Sequence, residues 1–410
     1  MSIDTGFNDL LDELKWRGFY EQCTDEAGLA GLLGSGIVTG YIGFDPTASS
    51  LHAGSLVQIM SLAWLQRCGH DVIAIVGGGT AMVGDPSGKT ELRKMLTLED
   101  LAFNKRGISA QLAHFITLEG VHGRMIDNAD WLLALNYISF LRDIGRHFSV
   151  NRMLSAESYK IRLEKGLSFL EFNYQVLQAY DFLELYRRHG CRLQMGGSDQ
   201  WGNIVAGIDL VRRMEGVEVY GLTTPLVTTA SGEKMGKTAA GAVWLDPQRL
   251  SPFDYFQYWR NTQDADVGRF LRLFTFLPME EVRVLEAGKD AAINQAKERL
   301  AWECTALLHG SDEADKAQAG ARAAFYGGGA VDDIPTCEVA LPCPVVEILE
   351  KSGLCASRSE ARRGIQGGAV RMGKDKVTDT KAIAEASHLD PDGTLLLWMG
   401  KKQVVRVVGR

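Results

Sequence analysis

The sequence predicts an α/β protein of more than one domain, with a parallel sheet first, a helical region second and a small α+β tail last. Three observations carry that expectation. In the first part, short apolar β-rich runs alternate with amphipathic stretches, as in IVTGYIGF, LVQIMSLAWLQRC and DVIAIVGGG, with Gly and Pro at the junctions. Between about Leu250 and Phe325 the pattern turns helical throughout, and AAINQAKERLAWECTALLHG is its clearest amphipathic segment. From Tyr326 to Pro344 the stretch YGGGAVDDIPTCEVALPCP holds no sustained period and reads as an interdomain linker.

Composition narrows the class. At 410 residues and 46% hydrophobic content the chain is too long for one ordinary core and too apolar for disorder, so two or three domains are expected. It holds no run of about 18 uncharged apolar residues, and the opening MSIDTGFNDLLDELKW is acidic and polar where a signal peptide would be basic and then apolar. The expectation is a soluble, cytoplasmic protein with no membrane partner. The seven cysteines form no CxxC pair, and their odd number fits neither a disulfide framework nor a structural zinc site. They read as reduced, mostly buried small hydrophobes, and no protein-bound structural metal is expected. The net charge of −7 is uneven: from Val346 to Arg410 twelve Lys and Arg face eight Asp and Glu, a net of +4, which leaves −11 for the preceding part. A basic tail thus follows an acidic body, which suits a tail with a polyanionic partner.

Alternating βαβ units build a parallel, Rossmann-like sheet whose ligands sit at the carboxyl ends of the strands, so the loops that follow the strands are the informative ones. GDPSGKT, from Gly84 to Thr90, ends like a phosphate-binding Walker loop, but Gly84 and Gly88 enclose three residues where four are needed, and Val83 stands where the first Gly belongs. FDPTASSLHAGSL, from Phe44 to Leu56, ends a strand in Asp-Pro, offers Ser and Thr as helix caps and starts a helix near His52. A helix start presents unpaired amides and a positive dipole end to phosphates, and His52 could donate to charge on an α-phosphate; an ordinary capped helix fits the same residues. ASGEKMGKTAAGAVWLDP, from Ala230 to Pro247, carries Lys234 and Lys237 on a loop with Gly232 and Gly236. Two lysines on such a loop can close over a triphosphate, although a solvated basic turn has the same composition.

The order of these segments is itself informative. PTASSLHAGS resembles the HIGH region, and KMGKT the KMSKS loop, of class I aminoacyl-tRNA synthetases. With YIGFDPTASSLHAGSL, VGGGTAMVGDPSGKT, NYQVLQAYDF, QMGGSDQWGN and KMGKTAAGAVWLDP in sequence, essentially the whole chain resembles the bacterial tyrosyl-tRNA synthetases. One departure is that Ser55 stands in place of the second histidine of the HIGH pattern, which keeps a hydroxyl but loses reach and any cationic form. The resemblance implies a Rossmann-like catalytic domain over 1–228, the KMSKS-type loop and a helical anticodon-binding domain over 229–325, a linker over 326–344 and a ribosomal-protein-S-four-like RNA-binding domain over 345–410. It also implies ATP as a substrate with Mg²⁺, L-tyrosine and tRNA(Tyr) as the other partners, and a homodimer with its interface near Leu132 to Phe172.

Site residues follow from spacing and from the resemblance together. Tyr174, Gln178 and Asp181 stand at i, i+4 and i+7 and share one narrow helix face, which is either solvated or lines a polar pocket. The resemblance selects the pocket: Tyr41 and Asp181 for the substrate phenol, Tyr174, Gln178 and Asp85 for its α-ammonium, and Gln200 beside the tyrosine. For ATP it implies Gly43, Asp45, Thr47, His52, Gly54, Ser55, Asp199, Lys234 and Lys237, with His52, Lys234, Lys237 and Thr238 catalytic and Lys89 and Arg93 on the pyrophosphate side. Ser198 or Asp199 is expected to cap the helix that follows CRLQMGG. In the tail, Ser357 and Glu360 make a capping-box pair, and Arg358, Arg362 and Arg363 ride on the next short helix as a phosphate-tracking surface or a solvated face. Two other readings stay open: a tryptophanyl-type synthetase, against which the Tyr41 and Asp181 pair and the tail argue, and an RNA-binding accessory protein without the chemistry, against which Lys234 and Lys237 argue.

Overall fold

The computed structural model describes residues 10–87, 97–164, 166–238, 241–289, 291–326, 334–373, 375–390, 393–400 and 403–409. Lys89 and Arg93 lie outside them, as do the side chains of Lys237 and Thr238. The chain forms two compact units. The first holds 1–237, 244–246 and 263–293, and the second 238–243, 247–262 and 294–410.

The first unit is built on a six-stranded sheet of β1 (Gln22–Cys23), β2 (Thr39–Phe44), β3 (Asp71–Val76), β4 (Gly123–Asp127), β5 (Leu193–Gly197) and β6 (Tyr220–Thr224), in the order β1-β6-β5-β2-β3-β4. All neighbours run parallel except β1 against β6. The expected β-α-β unit is present: β2 leads into helix Leu56–Arg67 and returns as β3, paired in register from Thr39 with Asp71 to Phe44 with Val76. That helix packs on β2, β3 and β5, and nine of its twelve residues are buried, so its apolar side chains run nearly all the way round. On the opposite side, Tyr41, Ile73 and Ile75 of the sheet pack with Val176, Phe182 and Leu185 of helix Tyr174–His189 and Leu210 of helix Trp201–Glu215. Both of those helices end on a left-handed glycine, Gly190 and Gly216, where a Cβ would be strained.

The strand order reverses at β2. From β2 the chain goes to β3 and β4 on one side and then to β5 and β6 on the other, which makes the boundary between β2 and β5 the topological switch point. Pairing across that boundary covers only Gly40 with Leu193 and Tyr41 with Gln194. Beyond these residues the two strands part, and a cleft opens at their carboxyl ends.

A buried arginine ties three separate segments behind the sheet. Arg17, 1% exposed, ends helix Leu10–Arg17 and donates from Nε to Glu13 Oε1 at 2.5 Å. Its other nitrogens donate to the carbonyls of Arg272, Thr275 and Leu277 at 3.1, 3.1 and 2.9 Å, and its guanidinium lies 3.9 Å from the centre of the Trp64 ring. Burial pulls its pKa below the usual range while Glu13 pushes it back up. The same arginine therefore stitches helix Asp264–Phe274 and its following turn to helix Leu56–Arg67.

In the second unit, helix Pro252–Arg260 packs along helix Ser311–Tyr326, and Arg322 Nε donates to Glu298 Oε1 at 2.5 Å. The helical run expected over about 250–325 is thus present across the two units, as Pro252–Arg260, Asp264–Phe274, Met279–Glu286, Ala291–His309 and Ser311–Tyr326. The tail folds as a five-stranded sheet in the order 375–376, 370–372, 394–399, 403–409, 336–339, with helices Val345–Lys351 and Arg358–Gln366 beside it. Strands Thr394–Met399 and Gln403–Gly409 form an antiparallel pair. Val345, Ile348, Leu349, Ala361, Ile365, Val370, Leu397 and Val407 build its core. All seven cysteines are free thiols, and four of them are buried.

Replacing Arg17 with Met should leave Glu13 and three carbonyls buried without their donor and lower the unfolding free energy by ~3 kcal/mol or more. Urea unfolding measures this, and a loss under ~1 kcal/mol would remove Arg17 from its place as the tie.

Candidate active site

The cleft at the switch point has a volume of about 370 Å³. Its floor comes from the strands and from helix Tyr174–His189. The expected face of that helix does point inward: Tyr174, Gln178 and Asp181 all line the cleft, opposite Tyr41 of β2 and Gln194 of β5. Tyr41 is 2% exposed, its ring meets Phe182 edge-on at 5.3 Å, and its hydroxyl has no hydrogen-bond partner among the described residues. Burial, with Asp181 nearby, drives its pKa well above the ordinary phenol value. A buried hydroxyl at a cavity floor can hydrogen-bond a polar ligand group.

Asp181, 4% exposed, is held from behind. Trp131 Nε1 donates to its Oδ1 at 2.8 Å and Asn128 Nδ2 to its Oδ2 at 2.9 Å. Asn128 is itself locked, because its Oδ1 accepts from Gly79 N at 2.8 Å and its Nδ2 also donates to Thr80 Oγ1 at 2.9 Å. Desolvation raises the Asp181 carboxyl to about 7, and the two donors oppose that rise. Each oxygen keeps lone-pair capacity beyond these single bonds, so the carboxyl can still accept from a ligand.

Midway up the wall a polar chain runs through Asp85, Gln200, Asn203 and Gln178. Gln200 Nε2 donates to Asp85 Oδ2 at 2.8 Å, and Asn203 Nδ2 donates to Gln200 Oε1 and Gln178 Oε1, both at 3.1 Å. Asp85 also accepts from Ser87 N at 2.8 Å, the bond of an Asp-Pro turn. Burial, with Asp45 adding like charge, raises Asp85 to about 6. Two carboxylates facing one cavity favour a cationic guest.

The mouth is formed by the Phe44–Leu56 loop. Asp45, Thr47, His52 and Ser55 line it with Gly43, and Asp199 lines it from the other side. Asn104 Nδ2 donates to Pro46 O at 2.9 Å and Gln111 Oε1 accepts from Leu51 N at 2.8 Å, which pins the loop to helix Leu98–Leu112. A short 3₁₀ turn, Ala53–Ser55, precedes the helix, and His52 caps it: its Nδ1 accepts from Gly54 N at 3.0 Å. With Nδ1 an acceptor, the neutral ring carries its proton on Nε2 as a donor.

The lysine loop reaches this mouth through two glycines. A Cβ on Gly54 would stand 2.7 Å from Met235 O, and one on Gly236, at φ +81°, would stand 2.3 Å from Gly54 N. Only glycine lets the two backbones approach this closely. Lys234 is exposed, pairs by a single antiparallel bridge with Thr228 and is not among the residues that line the cleft. The base of the loop is tied by Ala230 N donating to Asp266 Oδ2 at 2.7 Å.

The structure therefore brings Tyr41, Gly43, Asp45, Thr47, His52, Ser55, Asp85, Tyr174, Gln178, Asp181, Asp199 and Gln200 to one cleft, with Gly54 and Lys234 next to it. Neither Ser198 nor Asp199 caps a helix. Gly197 and Gln200 hold those positions without side-chain caps, and Asp199 turns to the cleft. Sequence reasoning missed Trp244, Asn128, Trp131 and Asn203. In the tail, Ser357 Oγ accepts from Glu360 N at 3.3 Å, but Glu360 reaches Ala356 N. Arg362 and Arg363 are exposed, whereas Arg358 is engaged by Glu350 at 2.7 Å and Glu347 at 3.6 Å.

A parallel sheet with its cleft at the switch point, a helix start at the mouth and a glycine-hinged lysine loop beside it define an α/β nucleotide-binding enzyme fold. The sequence profile of the tRNA synthetases class I (W and Y) matches residues 36–326, and that of the tyrosine–tRNA ligase SYY-like C-terminal domain matches residues 328–407. The chain belongs to the class I tRNA synthetases of this tryptophan and tyrosine family. It is 53% identical over 407 residues to the tyrosine–tRNA ligase of Rhizobium meliloti (strain 1021), covering 97% of each chain. It is 54% identical over 410 residues to that of Beijerinckia indica subsp. indica, covering 98% of this chain and 97% of the other. Among solved structures, a C-terminally truncated Aspergillus nidulans mitochondrial tyrosyl-tRNA synthetase superposes with a TM-score of 0.68 at 31% identity, over 75% of this chain and 92% of that one.

The raised Asp181 has a measurable consequence. A carboxyl at about 7 when folded and near 4 when unfolded binds more protons in the folded state, so it lowers stability progressively as pH rises through that window. In the ligand-free protein, Asp181→Asn should therefore gain about 2 kcal/mol on the parent between pH 5 and pH 8 in urea unfolding. A difference that does not change with pH would contradict the buried, raised carboxyl.

Proposed function

We propose that the protein activates L-tyrosine with ATP to tyrosyl-adenylate and pyrophosphate, and then transfers the tyrosyl group to the terminal adenosine of tRNA(Tyr). The observation that carries this reading is the pair at the cleft floor: a buried Tyr41 hydroxyl with no partner among the described residues, beside an Asp181 carboxyl fixed by Trp131 and Asn128. A substrate phenol donates to Asp181 and accepts from Tyr41, satisfying both. Phenylalanine would leave the Tyr41 hydroxyl buried without a partner and the spare accepting position of Asp181 facing a C–H, and is rejected for that reason. The α-ammonium then sits against Asp85, Tyr174 and Gln178, with Gln200 beside the substrate, where the two facing carboxylates Asp85 and Asp45 favour a cation.

With the amino acid so held, its carboxylate points toward the mouth and attacks the α-phosphate in line, and pyrophosphate departs. No side chain need act as a base, because the carboxylate is already the nucleophile. Catalysis is positioning and charge stabilisation. His52 donates from Nε2 to the phosphate, Gly43, Asp45, Thr47, Gly54, Ser55 and Asp199 bound the nucleotide, and Lys234, Lys237 and Thr238 close with their loop on the departing charge. Bound with ATP, Mg²⁺ would neutralise phosphate charge, and the carboxylates Asp45 and Asp199, which line the cleft, would be the oxygen donors to hold it.

The remaining parts of the reading concern partners. Arg362 and Arg363 track the phosphates of tRNA, with Arg358 contributing once released from Glu350; binding that falls with salt in the parent and less steeply in an Arg362→Ala, Arg363→Ala variant supports this, and unchanged salt dependence opposes it. Leu133, Tyr137, Ile138, Phe169 and Leu170 are 57, 58, 70, 70 and 49% exposed, and this apolar surface between 132 and 172 buries against a second copy of the chain. Sedimentation of Ile138→Glu tests it, with a dimer unaffected by the new charge as the opposing result. The division of the chain into catalytic, helical anticodon-binding, linker and RNA-binding parts follows the same reading, with strand Thr336–Val339 of the expected linker belonging to the sheet of the tail. So does a cytoplasmic location, and no helix among the described residues is long and apolar enough to cross a membrane.

Replacing Lys237 with Ala should slow single-turnover adenylate formation by ~10²-fold or more while tyrosine affinity stays nearly constant. An unchanged rate would remove the lysine loop from the mechanism.

A further inference from the structure

We propose that Trp244, on the strand of chain that returns from the lysine loop, is a positioning residue for His52. The proposal rests on the reading that His52 contacts the α-phosphate in this cleft. Trp244 is far from His52 in sequence yet joined to it three ways. The two residues form an antiparallel β-bridge, their rings stand 6.5 Å apart at 68°, and both line the mouth of the cleft. The bridge is extended on the same side: Leu245 N donates to Leu51 O at 3.0 Å and Asp246 N to Ser50 Oγ at 3.2 Å.

The imidazole has two degrees of freedom that matter for donating to a phosphate: which nitrogen holds the proton, and which way the ring tilts. Gly54 N, donating to Nδ1, fixes the first. The fold supplies the second through the edge-to-face contact of Trp244, an arrangement aromatic pairs prefer at this separation. Because Trp244 follows the lysine loop directly, its seat on His52 also fixes where the returning chain is anchored. The loop's departing end is tied independently, by Ala230 to Asp266. Closure of the loop is thus referenced to the ring with which its lysines must cooperate.

A double-mutant cycle tests this. Single-turnover adenylate formation, KM for ATP and tyrosine affinity are measured for Trp244→Leu, Trp244→Phe, His52→Asn and the Trp244→Leu, His52→Asn pair. Trp244→Leu should slow adenylate formation by roughly tenfold or more with tyrosine affinity unchanged, since small misplacement of a reacting group is enough for such a loss. Trp244→Phe, which keeps an aromatic edge, should recover most of the rate. In the His52→Asn background the Leu change should add less than about twofold, because its target is already gone. Equal losses in both backgrounds, or a parallel loss of tyrosine affinity, would overturn the proposal while leaving the cleft assignment intact. A His52→Asn variant with the parent rate would instead overturn the assignment and the proposal together. Should Trp244→Leu fail to fold, Trp244→Met takes its place in the same cycle.

Discussion

The constraint on which the rest depends is the short pairing between β2 and β5. β2 is bonded to β3 along all six of its residues but to β5 over only two, Gly40 and Tyr41. Had the ladder continued, Ile42 to Phe44 and Met195 to Gly197 would have closed on one another and no cavity would exist. Because it stops at Tyr41, that side chain becomes the floor, and the residues beyond it become the walls and rim. The reversal of strand order produces the split, since β2 must serve two halves of the sheet whose helices lie on opposite faces. Depth in the cleft thus follows position along the strand, from the phenol-sized floor to the phosphate-sized mouth.

The site is held against its own electrostatics. Asp181 and Asp85 are both raised by desolvation, and Asp45 adds like charge to Asp85. Empty, such a cleft lowers the stability of the fold at neutral pH, and a guest that brings a phenol and an ammonium relieves it. The supporting shell keeps the geometry in the meantime. Trp131 and Asn128 hold Asp181, Asn128 is held by the Gly79 amide, and Asn203 joins Gln200 to Gln178. Rigidity elsewhere comes from the buried face of helix Leu56–Arg67 and from the Arg17 tie, both immediately behind the loop that carries His52.

Much of this was legible in the sequence because it is periodic or local. The alternation of apolar runs gave the parallel sheet, and the spacing of Tyr174, Gln178 and Asp181 placed three side chains on one helix face that the structure turns inward. What escaped has no periodic signature. Asn128 and Trp131 follow a strand end in an unremarkable NADWL and act on a residue 53 and 50 positions away. Trp244 meets His52 only through a long-range bridge. A cap by Ser198 or Asp199 suits the residue types but does not form; the helix start is left to backbone, and Asp199 lines the cleft as the resemblance implies. Arg358 looked like a member of a free basic face, yet it pairs with carboxylates on the preceding helix at separations of eight and eleven, outside the i, i+4 rule.

The account is tested most directly by exchange of labelled pyrophosphate into ATP, with tyrosine, phenylalanine and tryptophan supplied in turn. It predicts exchange with tyrosine, at least about a hundredfold less with phenylalanine because the Tyr41 hydroxyl is left buried without a partner and Asp181 without the phenol's donor, and none above background with tryptophan. Comparable exchange with tyrosine and phenylalanine would contradict a floor that reads the phenol through Tyr41 and Asp181.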